Sequence, residues 1–100
     1  MIEMDLDELR SWIGAARPSW PVTVLYEETA PTPAAVADFL GTPNVRRLES
    51  RVVVAGNVGA VVTAGGPELP PNPVATYLAG DLVWGPAMML VGNAMGEWTP

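Results

Sequence analysis

Residues 68–92 read "ELPPNPVATYLAGDLVWGPAMMLVG", and the fold turns on how they are read. Asn72 has a side chain that caps helices. Pro73 has the fixed φ that suits the first helical position, and Gly80 suits a left-handed stop. This punctuation predicts a short helix over 73–79. "LVWGPAMMLVG" then reads as one bent strand or a strand pair near 82–92. Pro86 lacks a ladder donor, so it belongs at a bulge or an edge. In "AMMLV" a strand puts Met88 and Leu90 on one face, and Ala87, Met89 and Val91 on the other. Both faces are apolar, so both need cover. Three short helices cover one sheet face readily and two only with difficulty. The sequence therefore predicts a homodimer in which a second copy covers the remaining face, with Trp84, Met88, Met89, Met95 and Trp98 at the interface; the alternative is that the N-terminal helix or the C-terminal tail folds over that face.

The same signals recur upstream. Thr32, Pro33 and Gly41 bracket a helix over 33–40, whose apolar face is Val36, Phe39 and Leu40. Asp5, with Glu8 three residues on, marks the start of a helix over 5–14. Leu6, Leu9, Ile13 and Trp12 line its inner side, Gly14 suits its end, and Pro18 and Pro21 block its extension. "VTVLYEE" (22–28) alternates Val22, Val24 and Tyr26 against Thr23, Leu25 and Glu27, the pattern of a strand. Two Val-rich runs, 46–54 and 59–64, flank "AGNVG" and read as a hairpin. The expected fold class is α+β, a small and mainly antiparallel sheet with three short helices. Residues 1–100 form one domain, in which 1–30 is a peripheral extension. Trp12 and Trp20 are expected to close the core near the first helix, and Trp84 and Trp98 to flank the last strand.

Composition narrows the function classes. The chain has 100 residues, no Cys, no His and a net charge of −6. All five of its basic residues are Arg. Without Cys there is no disulfide framework and no thiolate metal site. No run reaches the 18 or so apolar residues of a membrane helix, and the acidic start is unlike a secretory signal. These features point to the cytoplasm. Phosphate contacts dominate nucleic-acid affinity, so an acidic chain is a poor partner for a duplex. DNA mimicry needs carboxylates spread along a surface, whereas six of the eleven acids lie in the first 30 residues.

Residues 36–92 carry a resemblance. "VADFLG", "RVVVAGNVGAVV", "LPPNPVAT" and "DLVWGPAMMLVG" occur in an order that resembles a family of small bacteriophage and mobile-element proteins of uncharacterised function. Pro71-Asn72 and Gly85-Pro86 are the most specific landmarks. The resemblance implies a phage or prophage origin and a compact α+β domain. It brings no catalytic residues.

Little reaction chemistry is accessible to this residue set. Ser-His-Asp and Cys-His arrangements need residues the chain lacks. Schiff-base and P-loop chemistry need Lys. "GNVGAVVTAGG" lacks the spacing of a phosphate loop, and a hairpin turn accounts for its glycines. Asp5, Asp7 and Glu8 suit a first helical turn, where carboxylates complement the dipole. Glu27 and Glu28 point to opposite sides of a strand, and their spacing does not ask for a hard metal. Asn72 reads as a cap and Thr76 as packing one turn on. Arg46, Arg47 and Arg51 form the one basic cluster of the sequence. A solvated face with Glu49 is the simpler reading; a contact for an anion or an acidic partner is the functional one.

The expected role is therefore non-enzymatic and without a cofactor. The first reading is an accessory protein that binds a host protein and modulates it. The second is a sponge for a nucleotide-like defence signal, which would need a concave pocket with Arg and an aromatic.

Overall fold

A computed structural model describes residues 2–16 and 21–98. The order is β1 (Ile2–Glu3), α1 (Leu6–Ala16), β2 (Thr23–Tyr26), α2 (Pro33–Leu40), β3 (Arg46–Val54), β4 (Asn57–Thr63), α3 (Pro73–Ala79), β5 (Ala87–Leu90) and α4 (Gly92–Glu97). The five strands form one mixed sheet in the order β1-β3-β4-β5-β2. The two inner ladders, β3–β4 and β4–β5, are antiparallel; the two outer ones, β1–β3 and β2–β5, are parallel. This is the α+β class expected, with short helices around a small sheet.

The "AMMLV" run lies deep in this sheet, and all four residues of β5 are buried. Each of its faces has its own core. Ala87, Met89 and Val91 join Leu9 and Ile13 of α1 and Ala75 and Leu78 of α3. Met88 and Leu90 join Val36 and Leu40 of α2, Ala94 of α4, and Trp98. The predicted alternation is therefore correct, but the premise that the second face lacks cover from within the chain is not. The chain itself covers the second face, through α2 and the unforeseen α4, and the reason for placing a second copy there disappears. Trp84, Met88, Met89, Met95 and Trp98 form no common surface. Met89 lies on one side of the sheet and Met88 and Trp98 on the other, all three buried; Met95 packs against the second core and Trp84 is half-buried.

The N-terminal segment is integral rather than peripheral. Leu9 is fully buried and Ile13 nearly so, both in the first core. Ile2 pairs with Val52, and Thr23 with Ala87, so residues 2–26 contribute two strands and a core helix. Asp5 caps α1 as expected, its Oδ1 accepting from Glu8 N at 2.7 Å. The helix runs through Gly14 to Ala16, because Gly14 keeps a negative φ and nothing there breaks the turn. Pro18 and Trp20, expected to end this helix and to close the core beside it, lie outside the described residues. Arg10 of α1 grips Glu27 just beyond β2, its Nε donating to Oε2 at 2.8 Å. That hydrogen bond holds the Glu27 carboxyl below the usual glutamate range, against an opposing push from desolvation.

The punctuation of α2 and α3 is as read. Thr32 Oγ1 accepts from Ala35 N, Asn72 Oδ1 accepts from Ala75 N, and Gly41 and Gly80 take left-handed stops. Residues 82–86 form no strand. Instead Pro71 and Trp84 make an isolated antiparallel bridge, flanked by Asn72 N donating to Val83 O and Gly85 N donating to Pro70 O, each at 2.8 Å. The two landmark dipeptides of the sequence thus meet at one place.

The hairpin is tighter than "AGNVG" suggested. Val54 pairs with Asn57, leaving Ala55 and Gly56 as a two-residue turn with φ of 51° and 80°. Two positive φ values define the type I′ turn that suits strand twist. Ala55 is the one non-glycine residue with positive φ among those described. Ala55→Asn should raise stability by on the order of 1 kcal/mol, since an L-residue with a Cβ and no local hydrogen bond strains there. A urea midpoint that does not rise refutes this.

Trp98 offers a second check. It is 9% exposed, and its Nε1 has no hydrogen-bond partner. An unmet buried donor costs about 1–3 kcal/mol. Trp98→Phe removes that cost while losing some apolar volume, so stability should change by less than about 1 kcal/mol. Trp98→Ala should cost about 3–5 kcal/mol. Thermal unfolding of the two variants distinguishes these outcomes.

Candidate functional site

The predicted arginine cluster is dispersed by the shape of β3. Glu49 pairs with Ala60 and Val53 with Val58, so three residues of β3 stand opposite Gly59 alone. Ser50 holds this bulge: its Oγ accepts from Val52 N at 2.9 Å and donates to Leu78 O at 3.2 Å. The backbone is turned there, and Arg51 leans onto α3, its Nε donating to Tyr77 O at 2.6 Å. Arg47 lies on the opposite side of the sheet, its guanidinium 3.1 Å from the Met95 sulfur. Arg46 reaches Gly65 O at 3.4 Å. The three cations therefore serve three different neighbours. The expectation that Arg47 and Arg51 share a face with Glu49 fails because the bulge intervenes.

What the fold does gather is an aromatic face on the outer side of α1 and α3. The Trp12 and Tyr77 rings meet edge to face with centroids 5.0 Å apart. The Arg51 guanidinium lies 4.6 Å from the centroid of the Tyr77 ring. Tyr77 is 37% exposed and Leu82 58%, and these are the exposed large hydrophobic residues among those described. A shallow groove flanks each ring. One, of about 580 Å³, runs along the start of α1 between Met4 and Trp12, with Asp5, Asp7 and Glu8 on its walls. The other, of about 610 Å³, runs along α3 between Pro73 and Leu82, with Arg51 and Asp81 on its walls. Trp12 and Tyr77 separate the two.

The origin of this face is local. α1 and α3 each turn their apolar stripe inward, and each places one aromatic at the margin of that stripe. The αL stop at Gly80 sends the chain outward, and Asp81 Oδ1 accepts from Leu82 N at 2.8 Å. That turn leaves the Leu82 side chain in solvent. From sequence alone Trp12 read as core and Leu82 as part of a strand, so the face went unseen. An unpaired Leu in "GDLV" directly after a helix stop was its one sequence signal.

Asn72 and Thr76 are structural. Asn72 is fully buried. Its Nδ2 donates to Gly85 O and to Thr23 Oγ1, each at 3.0 Å. Thr76 Oγ1 accepts from Val83 N at 3.0 Å. Both thus tie α3 to the segment that follows it. Among the described residues, no group of three acidic side chains stands close enough to hold a metal ion, and no helix is long and apolar enough to cross a membrane. No family model, curated protein or solved structure matches the chain.

Proposed function

We propose that the chain is a small phage-type accessory protein that acts without catalysis, in the cytoplasm, by binding a host protein through the α1–α3 face. The observation that carries this reading is the coincidence of Tyr77 and Leu82, both exposed, on one face with Trp12. Aromatic residues framed by polar groups are the usual make-up of protein-binding patches. The resemblance in residues 36–92 supports the phage-type origin.

Affinity capture from a host extract, with wild-type and Leu82→Asp baits side by side, tests the reading. A partner held by the wild type and lost with Leu82→Asp is the expected result. A partner held equally by both places the contact elsewhere. Arg47→Gln should leave capture unchanged, because Arg47 lies across the sheet.

A second reading, the nucleotide sponge, draws on the presence of Arg51 and Tyr77 in one groove. Two features count against it. Arg51 itself covers a Tyr77 face where a base would stack, and Asp81 adds negative charge beside any phosphate. A rise in unfolding temperature with any mononucleotide or cyclic dinucleotide would favour the sponge, since a ligand bound only to the native state stabilises it.

A further inference from the structure

The face is electrostatically lopsided, and we infer that its partner is a cationic peptide segment carrying one apolar anchor, laid across the Trp12–Tyr77 pair. This rests on the docking reading above and adds the chemistry and direction of the partner.

The groove beside α1 has three carboxylates, Asp5, Asp7 and Glu8, and no cation on its walls. Asp7 shares Arg10 at 3.0 Å, and one oxygen of Asp5 caps the helix. Glu8 has no ion-pair partner among the described residues, and the second oxygen of Asp5 is free of the cap. Negative potential therefore remains on that side, and the net charge of −6 reinforces it at long range. The groove beside α3 differs. Its one cation, Arg51, gives its Nε to Tyr77 O and rests on the Tyr77 ring. What remains open there is chiefly Leu82 and Pro73, with the exposed Asp81, whose Oδ1 accepts from Leu82 N, beside them.

A segment that matches this layout puts Lys or Arg against α1 and one large apolar side chain against Leu82. An acidic segment would set its charge against the carboxylates of α1, and like charges brought together at an interface are strongly disfavoured. Cationic residues also stack favourably on Trp, so the half-exposed Trp12 suits the same partner.

The test is selection from a random 16-residue peptide library displayed on yeast. The full chain is the target, and Leu82→Asp protein is the counter-target. Enrichment of Lys- and Arg-containing peptides that bind wild type and not Leu82→Asp is the expected result. For one such synthetic peptide, Glu8→Lys should weaken binding about fivefold to tenfold in 50 mM salt. That difference should shrink in 500 mM salt, where charges are screened over a few ångströms. Glu8 is exposed and bonded only through its backbone cap, so the variant keeps the fold; its far-UV circular dichroism verifies this. Leu82-dependent peptides with no basic bias, or with an acidic one, overturn the cationic partner and leave the docking face standing. Failure to recover any Leu82-dependent peptide overturns both.

Discussion

Met89→Asp is expected to leave the chain without a native fold, not to release a folded monomer. Met89 has no exposed surface and sits in the core between the sheet and helices α1 and α3. Its neighbours there are aliphatic. An ionised carboxylate at this position has no partner, and burying one costs far more than an unpaired neutral group. The cost is comparable with the whole stability of a small domain, about 5 kcal/mol or more. Near-UV circular dichroism at pH 7 should show no tertiary signal. Met89→Leu, which conserves volume, should lose less than about 1.5 kcal/mol. Were Met89 at an interface between copies, Met89→Asp would instead yield a soluble, folded single chain. Light scattering combined with circular dichroism separates these outcomes, and a folded monomer would show that the core is misassigned.

Asn72→Ala should cost about 3–4 kcal/mol, far more than an ordinary helix cap. Loss of a cap alone costs about 1 kcal/mol. Here the same side chain also supplies the donor for Gly85 O and the partner for Thr23 Oγ1, and both sites are buried. Leaving buried polar atoms unmet adds about 1–3 kcal/mol. Asn72→Asp separates the two contributions. It keeps the acceptor for Ala75 N but presents a carboxylate to the Gly85 carbonyl, so it should be nearly as damaging as Ala. Urea unfolding of both variants checks this. If Asn72→Asp is close to wild type, the cap is the whole contribution and the links to β2 and Gly85 are incidental.

What could be read from the sequence, and what could not, follows the range of each interaction. The bounds of α2 and α3 were legible because a cap, a proline and a glycine close together in sequence fix them. The alternation in "AMMLV" was legible because strand geometry sets it. α4 was not. Its cap residue, Val91, makes no side-chain hydrogen bond, and Gly92 and Gly96 weaken any local preference for helix. Burial of Ala94 in the core that Val36 and Leu40 of α2 share holds it, and that joins distant parts of the chain. β1 is two residues long and exists only by pairing with β3. The bulge at Ser50 decided the fate of the arginines, and nothing in "RRLESRVVV" marks it, because the stabilising carbonyl belongs to Leu78. The aromatic face went unread for the same reason: it depends on α1 and α3 lying side by side.

Both edges of the sheet come from the first 26 residues, β1 at one end and β2 at the other. This carries a kinetic consequence. β2 has a single ladder partner, β5, and α2, β3, β4 and α3 lie between the two along the chain. During synthesis "TVLY" therefore emerges well before its partner and waits unpaired until α2, β3, β4 and α3 have been added. Parallel pairing across such a sequence separation must be reached against loop-closure entropy, which slows folding relative to helical bundles, whose contacts are local. The acidic start of the chain and the Glu27–Glu28 pair sit on either side of this waiting strand. Like charges on neighbouring nascent chains keep such strands apart, and the Glu27–Glu28 pair that directly follows β2 is placed to oppose premature edge-to-edge association.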